Sequence, residues 1–188
     1  MPSASGSPTG VLPRSYRHHI DPTPISEAAP RRITAGDGEL LRTLMLAATH
    51  APALTIEHRV FAARTPAEWD RLAADRAHAD ERAVFVIAAP EACTGDGMLW
   101  TFARRGHPVA DLGWWWIHRP AEGTPAERAL FDEVAAWAAG RGATMLATAA
   151  DDLREQASLV RVGFVLHGVA ADGRRPVFRR RAVATELV

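Results

Sequence analysis

The chain has no lysine and no asparagine, one cysteine and one tyrosine. With Cys93 alone, no internal disulfide can form, and a reducing cytoplasm fits. Charge of either sign is not in excess: 22 basic residues, all arginine, face 22 acidic ones. A protein built to coat nucleic acid or an anionic membrane needs a basic surplus, so neither is expected as a partner. No apolar run approaches the roughly 20 residues that span a bilayer. The first twelve residues hold Ser, Gly and Pro but no apolar stretch, which argues against a secretory signal.

What is present is the composition of an ordinary globule: 188 residues, 47% hydrophobic and 23% charged. That length suits one domain with an extension. Residues 1–29 hold Pro2, Pro8, Pro13, Pro22 and Pro24, with Gly6 and Gly10. Such a segment buries too little apolar surface to offset its ordering entropy, so it is expected to be a disordered tail. It also carries Tyr16 and the pair His18–His19, and the other reading is an arm that folds onto the domain or onto a partner subunit. The domain is expected over 30–188.

Within it, Arg32-Ile33-Thr34 reads as a short strand. Asp37 stands before a helix with Leu40, Leu41, Leu44, Met45 and Ala48 at helical spacing. Residues 51–63 are ambiguous. Thr65-Pro66-Ala67-Glu68 is a helix start with Thr as N-cap, Pro at N1 and Glu closing a capping box; the helix runs to His78. Strands follow at 83–88, 98–104 and 109–117. Thr124-Pro125-Ala126-Glu127 repeats the capping tetrapeptide and opens a helix with Leu130, Phe131, Val134, Ala135 and Trp137 inward. A strand at 143–149, a helix capped by Asp151 or Asp152 and running to Val162, and strands at 163–166 and 177–183 complete the order. A three-strand meander followed by helix, strand and helix implies an α/β fold: a mixed sheet with helices on both faces.

Three pieces stand out: Ala110-Asp111-Leu112-Gly113-Trp114-Trp115-Trp116-Ile117, the helix around Arg128-Ala129-Leu130-Phe131 and Ala136-Trp137-Ala138, and Leu159-Val160-Arg161-Val162-Gly163-Phe164. In their order and spacing, over roughly residues 30–183, they resemble the GNAT superfamily of acyl-CoA-dependent N-acetyltransferases. The resemblance implies acyl transfer from acetyl-CoA to a small-molecule or peptide amine. It implies that acetyl-CoA lies where the fourth and fifth strands part, with backbone groups of Trp115, Trp116 and Ile117 on its thioester end. It places the pyrophosphate on the loop and helix start at Gly123, Thr124 and Ala126, where orphan N–H groups bind anions. Asp152 stands where many members have an Asn that reaches the pantetheine. Asp111 matches the position of a carboxylate that deprotonates the amine, and a strand this apolar is expected to favour its protonated form. Members often pair through their C-terminal strands, so a homodimer is an option.

The chain also departs from that pattern. The loop reads Glu122-Gly123-Thr124-Pro125-Ala126-Glu127. Glu122 replaces an Arg or Gln, and Pro125 and Glu127 replace the two glycines. Pro125 removes a donor, and the glutamates put negative charge where phosphates would sit. Tight acetyl-CoA binding is therefore not expected. The Tyr that donates a proton to the departing thiolate is Leu159 here, with Ser158 beside it as a weak substitute. Two further readings follow: a binding or partner module on a GNAT-like fold, or a cleft turned to other small-molecule chemistry.

Other residues stay open to two readings. Trp114, Trp115 and Trp116 are either core on a sheet covered on both faces, or an aromatic wall for a substrate beside Trp114. His107 and His118 are candidate substrate and base residues because imidazole titrates near neutrality. Neither lies in a zinc-type spacing, so no metal is expected. Arg174, Arg175, Arg179, Arg180 and Arg181 are either the charged guard of an edge strand or a site for an acidic group.

Overall fold

The computed structural model describes residues 28–49 and 63–182. Most of the expected tail, with Tyr16, His18 and His19, and nearly all of the ambiguous 51–63 stretch lie outside the described residues.

The elements are β1 (Pro30–Arg32), α1 (Gly38–Thr49), α2 (Pro66–His78), β2 (Arg82–Ile87), β3 (Gly97–Phe102), β4 (Val109–Ile117), α3 (Pro125–Ala139), β5 (Met145–Ala149), α4 (Leu153–Arg161), β6 (Val165–Val169) and β7 (Pro176–Arg181). They form one seven-stranded sheet in the order β1-β2-β3-β4-β5-β7-β6. Among the described strands, β4 and β5 run parallel and the other pairs are antiparallel.

Both faces of the sheet are covered, which is why β2 reads as an unbroken apolar run. Val84, Val86 and Met98 pack with Leu40, Leu44 and Trp69 of α1 and α2. Ala83, Phe85 and Ile87 face the other way, into a core with Leu130, Phe131 and Val134 of α3 and Leu159 of α4. Trp115 and Ile117 belong to that second core, and Trp114 and Trp116 border the first. Among the described residues, four guanidinium groups lie over aromatic rings. Arg32 and Arg141 both lie over Trp137, Arg76 over Trp100 and Arg82 over Phe102.

The expected capping box at α2 is present: Thr65 accepts from the Glu68 N–H, and Glu68 accepts from the Thr65 N–H. At α3 the same tetrapeptide behaves otherwise. Thr124 makes no side-chain cap and donates its hydroxyl to the Ala121 carbonyl at 2.6 Å. The strand expected from Gly163 begins at Val165, because Gly163 takes φ 91° in the turn that ends α4. β7 is no edge strand: it lies between β5 and β6, with Arg180 paired to Asp132 of α3, and β6 forms the rim. Its arginines are thus not the guard of an edge.

Candidate functional site

β4 and β5 pair only through Val109–Asp111 and Met145–Ala147. Beyond that point β4 continues for six residues to Ile117 while, among the described residues, no strand pairs with it on the β5 side. Two local features mark the point of parting. A bulge leaves Gly113 as an extra residue between Leu112 and Trp114, which pair with Thr101 and Trp100. The Thr148 hydroxyl donates to the Leu112 carbonyl at 3.3 Å, just past the last strand pair.

The backbone of β4 then decides what lines the gap. The His118 N–H donates to the Asp96 carbonyl at 2.7 Å, so His118 turns its backbone toward β3. In an antiparallel ladder that orientation alternates, which places the backbone groups of Trp116 and Trp114 on β3 and those of Trp115 and Ile117 toward the gap. Trp116, expected to present its N–H with the other two, faces the wrong side for that.

At the C-terminal end of β4 the chain makes one 3₁₀ turn, Arg119–Ala121, and enters α3 through Gly123 at φ 74°. Here a carboxylate of the protein itself sits in the donor-rich loop. Glu127 is 1% exposed. One of its oxygens accepts from the Gly123 N–H at 2.6 Å. The other accepts from the Ser158 hydroxyl and lies 3.3 Å from the Arg161 guanidinium. Glu122 is paired with Arg154. Of the residues expected to cradle a phosphate, Gly123 has its N–H engaged by Glu127, Thr124 is bonded to Ala121, and Ala126 packs on the core. Ser158, expected near a departing thiolate, is buried with its proton directed to Glu127. Asp152 caps α4 through the Arg154 N–H. Glu155 in the same turn is held above the usual carboxylate range, by burial first and then by Asp152 and Asp151.

The opposite face carries the remaining candidates. Asp111 is exposed, so the apolar surrounding expected for it is absent. It borders a recess of about 240 Å³ with Gly113, Trp100, Phe102, Arg76 and Arg82. Trp114 is half-buried and lies across from Trp100. His118 stacks on Trp116 with centroids 6.0 Å apart, and its Nδ1 is 3.4 Å from an Asp96 carboxylate oxygen. His107 is exposed at the other end of β4, its Nδ1 3.0 Å from the Val109 carbonyl. At about 3.3 Å per residue β4 separates the two imidazoles by roughly 30 Å, so they cannot serve one reaction centre. Among the described residues, no three His, Cys, Asp or Glu side chains cluster as metal ligands, and no helix is long and apolar enough to cross a membrane.

Arg76, Arg82, Asp96 and Arg161 were not singled out from the sequence. Each is an ordinary charged residue in its own segment, and only the strand order and helix packing bring it to a site.

No protein-family model matches the sequence, and no curated protein matches it. Solved structures do. A GNAT-family acetyltransferase of Streptococcus pneumoniae superposes at TM-score 0.61 with 15% identity, over 81% of this chain and 97% of that one. The ribosomal-protein-S5-alanine acetyltransferase of Vibrio fischeri gives TM-score 0.60 with 15% identity, over 81% and 92%. RimJ of Mycobacterium smegmatis, solved with CoA-disulfide, gives TM-score 0.60 with 17% identity, over 81% of each. Together with the parted β4 and β5 and the helix order, these likenesses identify the fold of the chain as that of the GNAT acetyltransferases.

Proposed function

We propose that the protein transfers an acyl group, in the first instance acetyl, from a CoA thioester to an amine. The observation that carries this reading is the unpaired edge of β4 beyond Asp111, where Trp115 and Ile117 offer backbone donors and acceptors to an extended ligand arm. An amide-bearing arm laid there would add to the sheet as a strand does. The structures of similar fold supply the chemistry by analogy, one of them holding CoA-disulfide.

Asp111 is the base of this reading. It stands at the parting, on the face opposite α3, and its exposure leaves it open to an amine or to a water between them. The amine nitrogen bonds to the acyl carbon as the carbon–sulfur bond breaks. The amine proton passes to Asp111 and on to solvent, and the thiolate is protonated by water. His118 with Asp96 is the second candidate for that base, at the far end of the gap.

The open edge of β4 supports placing the arm there, whereas Glu127 stands where the pyrophosphate would go. Glu127 already occupies the Gly123 donor and brings its own charge. That observation favours a second reading, in which the fold has given up acetyl-CoA and serves as a binding module or in other small-molecule chemistry. Titration calorimetry with acetyl-CoA on the full chain separates them. Saturable heat, with a thiol released when amines are added, supports transfer. No heat at millimolar acetyl-CoA refutes it and leaves the second reading.

A further inference from the structure

The recess beside Asp111 has chemistry that the acyl donor does not use. Three elements converge on it. Arg76 comes from the last turn of α2, Arg82 from the first residue of β2, and Asp111 from β4 next to the bulge. Trp100 and Phe102 of β3 form the apolar part of its wall. The guanidinium carbons stand 5.8 Å from the Trp100 ring centre and 5.9 Å from that of Phe102. Each guanidinium group thus lies within cation–π range of an aromatic ring.

The charges are unspent. Among the described residues, no ion pair uses Arg76, Arg82 or Asp111. The Nε of Arg76 is buried and makes no hydrogen bond there. Burial, and then the neighbouring charge of Arg82, pull Arg76 below its ordinary pKa, against an opposing pull from Asp75 on the same helix. A surface that crowds two guanidinium groups and leaves a carboxylate beside them is complementary to a molecule bearing both signs. At about 240 Å³ the recess is smaller than the roughly 300–1,000 Å³ of drug-sized sites, so that molecule is small.

We propose that this recess binds the acceptor as a small amino acid-like zwitterion. Its carboxylate lies between Arg76 and Arg82, its apolar body lies on Trp100 and Phe102, and its amine is directed to Asp111. This rests on the acyl-transfer reading for the role of the bound molecule, though not for its binding. Asp111 would then orient the ammonium and take the proton whose loss frees the nitrogen lone pair; the second proton, released as the amide forms and the carbon–sulfur bond breaks, passes through solvent to the thiolate.

Three probes isolate the charges: L-phenylalanine, 2-phenylethylamine, which lacks the carboxylate, and 3-phenylpropanoate, which lacks the amine. Titration of the full chain should give tighter binding of L-phenylalanine than of either analogue by about tenfold, the worth of one charge-assisted bond pair. Arg82→Gln should weaken L-phenylalanine and 3-phenylpropanoate by a similar factor and leave 2-phenylethylamine unchanged. Asp111→Asn should do the reverse, weakening the two amines alone. Arg82→Lys, which keeps the charge but loses the fork, serves if the Gln variant fails to fold. Equal affinities for the three probes, no binding of any, or variants that affect all three alike would overturn the proposal. Acetyl-CoA is titrated separately. If it binds while the probes do not, the recess proposal falls alone. If the probes bind in the expected pattern while acetyl-CoA does not, the recess stands as an amino acid site and the transfer reading falls.

Discussion

Replacing Glu127 should change stability and cofactor affinity in opposite directions. The side chain is fully buried and satisfies the Gly123 N–H, the Ser158 hydroxyl and, at longer range, Arg161. Glu127→Ala leaves the first two without a partner. At about 1–3 kcal/mol for each unsatisfied buried group, and allowing water into the space, the loss should be about 3 kcal/mol. For a domain of this size, 1 kcal/mol moves Tm by about 2–4 °C, so a fall of about 6–12 °C is expected. Glu127→Gln keeps the shape and one acceptor and should cost only about 1 kcal/mol. It removes a negative charge from the loop and releases Arg161 to meet a phosphate. One like-charge contact at a few ångströms is worth about 1 kcal/mol in partly exposed surroundings, so acetyl-CoA should bind roughly fivefold more tightly than to the parent. Thermal melts and calorimetry on the same preparations read both quantities. A Gln variant with the Tm of the parent and no gain in acetyl-CoA affinity would refute the idea that Glu127 fills an anion site.

Two further predictions concern the frame around the sites. Asp37 is buried, and although burial opposes its charge, the bonds from Arg31 and Thr34 outweigh it and hold the carboxyl below its ordinary value near 3.8. A lowered folded pKa stabilises fully above that ordinary value and is lost as pH falls through the folded one. Urea midpoints at pH 7 and pH 3 should therefore differ less in Asp37→Asn than in the parent, and equal acid sensitivity would count against this. Gly38→Ala should destabilise by about 1–3 kcal/mol, because a Cβ there would lie 2.9 Å from the Cα and N of Asp70 on α2. In an open helix start the same change would help by about 0.5–1 kcal/mol, so a raised Tm would show that α1 and α2 do not approach this closely.

Local chemistry was legible and distant partners were not. Thr65-Pro66-Ala67-Glu68 forms the capping box because all its partners lie within four residues. Thr124-Pro125-Ala126-Glu127 has the same pattern and a different outcome, because Ser158 and Arg161 reach Glu127 from a helix some thirty residues on. The glutamates of that loop were legible as charges, but that Glu127 accepts from the Gly123 N–H was not. The arginine-rich β7 looked like an edge strand because its neighbours depend on strand order, which no segment encodes alone. Asp111 was expected in an apolar setting from its flanking residues. It is exposed beside the bulge, on the face opposite α3. The recess had no local signal at all, since Arg76 and Arg82 belong to different elements and meet only after the turn between α2 and β2 folds back.

The stacked guanidinium groups give the lysine-free composition a material consequence. Trp137 is roofed by Arg32 and Arg141, and Trp100 and Phe102 each carry one cation. A guanidinium is flat and weakly hydrated, so it can shingle an aromatic surface and still face water. An ammonium group is compact and strongly hydrated and would lift away. A charge-neutral exchange of arginine for lysine across this protein would therefore leave its net charge untouched and strip the shingles from both edges of its core.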